Sequence, residues 1–112
     1  MLERKANVFH AIAHPARRQI LELLRDEDLP AMDIAVDLSP SALSQHLAVL
    51  KDAKLVVERR EGRRRIYSLT PEPLFEPFSW LSQYEMFWKA KFNQLNSYLE
   101  NTYGKRKKKH KR

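Results

Sequence analysis

Apolar residues return along this chain first at helical spacing, then in alternation, then at helical spacing again. Val8, Phe9, Ile12 and Ala13 make a first short helix with a spacing of four along its apolar side. His14-Pro15 interrupts it, because a residue before proline is pushed out of the helical region while Pro15 suits the start of a new helix. Ala16, Ile20, Leu23 and Leu24 then predict a second helix through about Arg25, and Asp26-Glu27-Asp28-Leu29-Pro30 an acidic turn. A short third helix is expected over Ala31 to Val36, with Met32, Ile34, Ala35 and Leu38 apolar. Leu43, Leu47 and Leu50 give the stripe of a fourth. The period then changes: Val56 to Arg60 and Arg65 to Leu69 are rich in β-branched and aromatic residues, with Glu61-Gly62 as the turn of a hairpin. Thr70-Pro71-Glu72-Pro73 ends the second strand. The longest helix is expected from Leu74 to about Tyr98, with Leu74, Phe78, Leu81, Tyr84, Trp88, Phe92, Leu95 and Leu99 on one stripe.

The fourth helix has an unusual second face. Ser39 suits its N-cap and Pro40 its first helical position. Opposite the leucines lie Ser41, Gln45 and Ala48, flanked by Ser44, where an ordinary solvated face would carry Lys and Glu. Short polar side chains let a helix approach another surface and hydrogen-bond base edges in a major groove. The bland alternative is an amphipathic core helix. Two helices joined by a short loop, the second with such a face, make a helix-turn-helix. The hairpin that follows bears five arginines between Arg59 and Arg65 against the single acid Glu61, at a tip where charge stays in solvent and can reach phosphates or a minor groove.

Charge supports that direction. The chain has 112 residues and a formal net charge of +7. Seven Lys or Arg and no acid fall between Lys105 and Arg112, leaving residues 1–104 formally neutral. Positive charge is therefore concentrated at the hairpin and in the tail, as on a polyanion-binding surface. The size fits one domain, residues 1–103, followed by a basic tail at 104–112 expected to be disordered. Arg17 and Arg18 sit near a helix N-terminus, where the dipole disfavours cations; an external anion, a nearby carboxylate or plain solvation would each account for them. Cysteine is absent, which fits a reducing cytosol, and no apolar run suggests a signal peptide or membrane span, so a cytoplasmic protein is expected.

The order of four helices, two strands and a fifth helix is a mainly α chain with a β-hairpin, a winged helix-turn-helix. AHPARRQILELL at 13–24, SPSALSQHLAVLKDAKLV at 39–56 and EGRRRIYSL at 61–69 resemble the ArsR/SmtB family of bacterial dimeric repressors, closely over about residues 5–70 and in outline beyond. The resemblance implies that Ser39, Ser41, Ala42, Ser44, Gln45 and His46 lie along the groove-entering helix. Lys51, Arg60, Arg63, Arg64, Arg65 and Tyr67 would complete the DNA contacts. His46 either bonds a phosphate or packs. The family usually has glycine where this chain has Lys54, so Lys54 must adopt positive φ or the helix must end differently. The cysteine pair and the histidine sets of metal-sensing members are missing; His10 and His14 have metal-pair spacing but no acidic partner, so no metal or cofactor is expected and the chain is similar to the metal-independent branch.

A homodimer reading an inverted repeat in double-stranded DNA is therefore the expected function. Its interface would use Val8, Phe9 and Ile12 with Trp80, Tyr84, Phe87, Trp88, Phe92 and Leu95, because one face of the last helix suffices to pack a small domain and Phe75, Trp80, Met86 and Phe87 lie off its stripe and need another surface. Covering by the first helix within one monomer is the alternative. If an effector binds, the expected pocket lies between the first and last helices, lined by Trp80, Tyr84, Phe87 or Trp88. The competing class is a basic RNA- or ribosome-binding module, disfavoured because the narrow RNA major groove does not admit such a helix. No nucleophile–base pair, carboxylate pair or cofactor motif supports an enzyme.

Overall fold

The computed structural model describes residues 7–110, with side chains described through Asn101. The chain divides into two compact units, Met1–Phe78 and Ser79–Arg112.

In the first unit, α1 (Val8–Ala11) is a single turn capped by Asn7, whose side-chain oxygen accepts the His10 amide at 2.8 Å. His14 leaves the helical region, as expected before Pro15, and caps α2 (Pro15–Asp26) by accepting the Ala16 amide on Nδ1 at 3.0 Å. The next helix, α3 (Pro40–Asp52), starts on Ser39, whose hydroxyl accepts the Ala42 amide at 3.1 Å. Both starts combine a side-chain cap with proline at the first turn. Ile20, Leu24, Leu47, Leu50, Leu55 and Val56 form the heart of the core.

Three strands pack beside these helices in the order β1-β3-β2, all antiparallel: β1 (Leu29–Pro30), β2 (Val56–Glu61) and β3 (Arg64–Leu69). The β2–β3 register runs from Val56 opposite Leu69 to Glu61 opposite Arg64, so the loop is Gly62-Arg63 rather than Glu61-Gly62. Positive φ at Gly62 alone is the pattern of a type II′ hairpin turn. β1 had no expected counterpart. It is a two-residue edge strand, where a proline is tolerated because its missing N–H costs no ladder bond.

The helix expected over Ala31 to Val36 is absent. A 3₁₀ turn spans Ala31–Asp33, and the chain then passes through two successive three-residue turns, the Val36 amide bonding the Ile34 carbonyl at 3.0 Å and the Leu38 amide the Val36 carbonyl at 2.9 Å. Pro30 is held in the sheet and Ser39 in a cap, and the short connection between them takes a stretched path in place of a compact helix.

The long helix expected from Leu74 is also corrected. After a 3₁₀ turn at Glu72–Leu74, α4 (Phe75–Ser82) ends at Gln83-Tyr84, and α5 (Glu85–His110) begins anew. The Gln83 side chain donates to the Trp80 carbonyl at 2.9 Å, while the Tyr84 carbonyl accepts both Phe87 and Trp88 amides. The break is thus a hydrogen-bonded turn. The backbone of α5 runs to His110, into the basic segment that begins at residue 104.

At the end of α3, Lys54 adopts φ 65°. The Leu55 amide bonds the Leu50 carbonyl at 3.0 Å and the Lys54 amide the Lys51 carbonyl at 2.9 Å, the paired bonds of a Schellman cap, with the buried Leu50–Leu55 contact that accompanies it. A lysine in the left-handed region is strained by about 1 kcal/mol, which glycine avoids at some entropic cost. Lys54→Gly is therefore expected to raise stability by about 0.5–1 kcal/mol in urea unfolding; a decrease would show that the lysine side chain compensates for its backbone.

Candidate nucleic-acid interface

The exposed face of α3 carries Ser41, Ser44, Gln45 and Ala48, with Ala42 half-buried, while Leu47 and Leu50 are buried beneath it. Thirteen residues at about 1.5 Å rise make a rod of roughly 20 Å, with no long side chain along its outer surface until Lys51. Ser39 spends its oxygen on the helix cap.

His46 is placed by a neighbour that the sequence did not reveal. Arg17, only 8% exposed, donates Nε–H to the Ala11 carbonyl at 2.8 Å and an Nη2 hydrogen to the His10 carbonyl at 3.1 Å. Its Nη1 lies 3.0 Å from His46 Nδ1. Arg18 donates to the Ile12 carbonyl at 2.8 Å. Both arginines thus satisfy the carbonyls that end α1, where a cation is electrostatically favoured, and neither anion nor carboxylate is needed to explain them. Arginine only donates, so Nδ1 accepts and the His46 ring hydrogen is on Nε2. The His14 ring packs 4.5 Å from that of His46, centroid to centroid. Burial, then the charges of His14 and Arg17, hold the His46 pKa below its ordinary value.

The wing is ordered by ion pairs. Glu58 receives Lys51 at 2.7 Å and Arg65 at 3.4 Å, and Arg59 bridges Asp28 and Glu61, both at 2.9 Å, and also reaches Ser68. The hydrogen bond from Lys51 holds the Glu58 carboxyl below its usual range, and those from Arg59 and then Ser68 do the same for Asp28. Arg64 approaches Asp33 at 3.7 Å. Arg63, at the hairpin loop, has no ion pair among the described residues. Lys51, Arg60, Arg63, Arg64 and Arg65 are all exposed.

Two expected contact residues belong to the interior. Tyr67 is 7% exposed and part of the apolar cluster, because its side of β3 packs on the helical core. Val8 is likewise a core residue, and Ile12 packs half-buried against the same cluster, so the dimer set loses Val8. In the second unit Trp80, Tyr84, Phe87, Trp88, Phe92 and Leu95 are all exposed, Phe87 to 69%. Among the described residues no group of three His, Cys, Asp or Glu is placed to hold a metal, and no helix is long and apolar enough to cross a membrane.

A helix of short polar side chains beside an arginine-bearing hairpin, on a helical core, defines a DNA-binding winged helix-turn-helix. The family model described as "Bacterial regulatory protein, arsR family" matches residues 14–57. The chain is 40% identical over 77 residues to the transcriptional repressor SdpR of Bacillus subtilis, covering 67% of this chain and 86% of SdpR. Among solved structures, Mycobacterium tuberculosis Rv0081 superposes with a TM-score of 0.58 at 34% identity, covering 75% of this chain and 88% of that one. HlyU from Vibrio cholerae gives 0.56 at 35%, covering 69% and 87%. The chain belongs to the ArsR family of bacterial regulators and is a DNA-binding transcriptional regulator.

The suppressed proton affinity of His46 has a consequence for stability. Unfolded, the ring titrates near 6.5. Below that pH the unfolded chain binds a proton that the folded chain resists, so the contribution is complete above about pH 6.5 and declines as pH falls further. Urea midpoints measured from about pH 7.5 to 5 should fall with acidity, and His46→Gln, which can still accept from Arg17, should flatten the curve. Glu58 and Asp28 also lose stabilisation in acid, but only toward their own carboxylate range of 4.5 and below. An unchanged slope in the variant would assign the effect to another group.

Proposed function

We propose that the protein is a homodimeric repressor of the bacterial cytoplasm, which occupies an inverted-repeat operator and so blocks transcription. The observation that carries this reading is the outer face of α3, clear of long side chains and set beside the arginine hairpin. Ser41, Ala42, Ser44 and Gln45 meet base edges in the major groove, the glutamine amide being able to pair with adenine in two bonds. Lys51, Arg60, Arg63, Arg64 and Arg65 hold phosphates, and His46 fixes the helix beneath them. The repressor sense follows SdpR, which matches over most of its length; HlyU, matching over less, is named a transcriptional activator. A second copy covers the exposed aromatics of the C-terminal unit together with Phe9, since so many large apolar side chains in one short segment suit an interface. Two copies related by a two-fold would place their α3 helices in grooves about 34–36 Å apart.

Selection of genomic fragments on the purified protein, followed by sequencing, tests the function directly. A short inverted repeat is expected; recovery of bulk DNA alone would overturn it. On the recovered site, Gln45→Ala should relax base preference while leaving non-specific binding nearly intact. The Arg63→Ala, Arg64→Ala double variant should weaken binding to every duplex and reduce the slope of log affinity against log salt by about two. Equal loss on all sequences for Gln45→Ala, or an unchanged slope for the arginines, would remove those roles.

The assembly has its own check. Sedimentation equilibrium should give a dimer for the parent chain and a shift toward monomer for Phe87→Ser combined with Phe92→Ser, with far-UV circular dichroism little changed. A monomeric parent would refute the two-fold operator.

A further inference from the structure

The stretched path of residues 34–38 leaves part of the recognition helix uncovered. The 3₁₀ turn and the two tight turns after it form, with α3 and the hairpin, a cleft of about 800 Å³. Its accessible apolar surface comes from Met32, Ala35, Val36, Leu38 and Leu43, with Ile34 and Leu47 buried behind them, and its volume is that of a small-molecule site. One rim is the wing, with Arg63, Arg64 and Arg65 in succession; the α3 wall adds Ser44. Apolar walls under a row of guanidinium groups match a ligand with a greasy body and an anionic head. Arginine favours a carboxylate, which it can hold in two parallel bonds. Among the described residues Arg63 has no ion pair to give up, and the 3.7 Å approach of Arg64 to Asp33 is loose enough to exchange.

We propose that this cleft binds a small amphiphilic carboxylate of the fatty-acid type, and that the ligand and DNA exclude one another. The exclusion rests on the DNA reading above, because the head group and the operator then compete for Arg63, Arg64 and Ser44. By linkage, whatever the ligand does to DNA affinity, DNA does equally to ligand affinity. The cleft differs from the pocket expected among Trp80, Tyr84, Phe87 and Trp88: it is built entirely within the first unit, from the same helix and hairpin that face the DNA.

Decanoate is a suitable probe, with decanol and decyltrimethylammonium as uncharged and cationic controls, titrated calorimetrically into the full chain below their micelle-forming concentrations. Saturable binding of one decanoate per chain is expected, about tenfold tighter than decanol, with the cation weakest. Amide NMR shifts should move in residues 31–38 and at Leu43 and Leu47. Ala35→Trp, at an exposed position lining the cleft and outside the DNA-contact set, should abolish decanoate binding while leaving duplex affinity intact. Saturating decanoate should weaken duplex binding by about tenfold or more in the parent and not in that variant. Absence of shifts at the cleft overturns the site, whatever DNA does. Equal affinity for decanol overturns the role of the arginines. Binding at the cleft with unchanged DNA affinity overturns the exclusion and counts against Arg63 and Arg64 as DNA contacts.

Discussion

Helix α3 is positioned by one buried guanidinium. Arg17 binds the last carbonyls of α1 through two of its nitrogens and His46 through the third. A charge so deep costs several kcal/mol unless its donors are satisfied, and removing any acceptor would expose that cost. A lysine could not span three acceptors lying in different directions, because it lacks the planar fork. The constraint works both ways. α1 is one turn long and would be marginal alone; Arg17 bonds the carbonyls of His10 and Ala11 at its end, and Arg18 that of Ile12 just beyond.

A second fastening acts at the other end of α3. The Schellman cap at Lys54 turns the chain so that Leu55 and Val56 drop into the core, and the Thr70 amide returns to bond the Leu55 carbonyl at 2.7 Å. The wing thus leaves and rejoins the body at one point. Its ion pairs are exposed and screened by solvent, so they add little stability. Their effect is geometric: Lys51 and Arg65 share Glu58, which ties the end of α3 to the hairpin. Helix and wing can then present to a duplex as one surface.

Much of this was legible in the residues. His14-Pro15 and Ser39-Pro40 announce helix starts by chemistry that acts within a few residues, and the structure shows both caps. The mild outer face of α3 and the arginine hairpin were equally local signals. What escaped depends on partners far along the chain. Ala31 to Val36 has residues that a helix accepts, but β1 pairing with Tyr67 and Ile66 fixes its start and the Ser39 cap its end. An anion, a carboxylate or solvent each suits Arg17 in the sequence, which does not display the carbonyl end of a neighbouring helix. Tyr67 carries the same alternation as a surface strand residue, and only the packing of its side of β3 on the helical core buries it. The break at Gln83-Tyr84 has neither glycine nor proline; a glutamine side chain taking a carbonyl is a signal too weak to separate from helical glutamines elsewhere.

The ion pairs also bear on how the wing meets a polyanion. Lys51, Arg64 and Arg65 each face a carboxylate, so a phosphate must either displace Glu58 or Asp33 or share the cation with it. Displacement costs little at exposed positions. Sharing costs little too, because Glu58 already serves two cations and leaves a net positive charge between them. Arg63 differs, having no ion pair among the described residues and standing at the loop itself, where the hairpin projects furthest. In the proposed complex it meets the backbone without rearrangement, and the paired cations follow by exchange. Carboxylates on the wing therefore do not argue against a nucleic-acid surface. They fix where its cations sit: Glu58 draws Lys51 and Arg65 together against their mutual repulsion, and Asp33 lies beside Arg64.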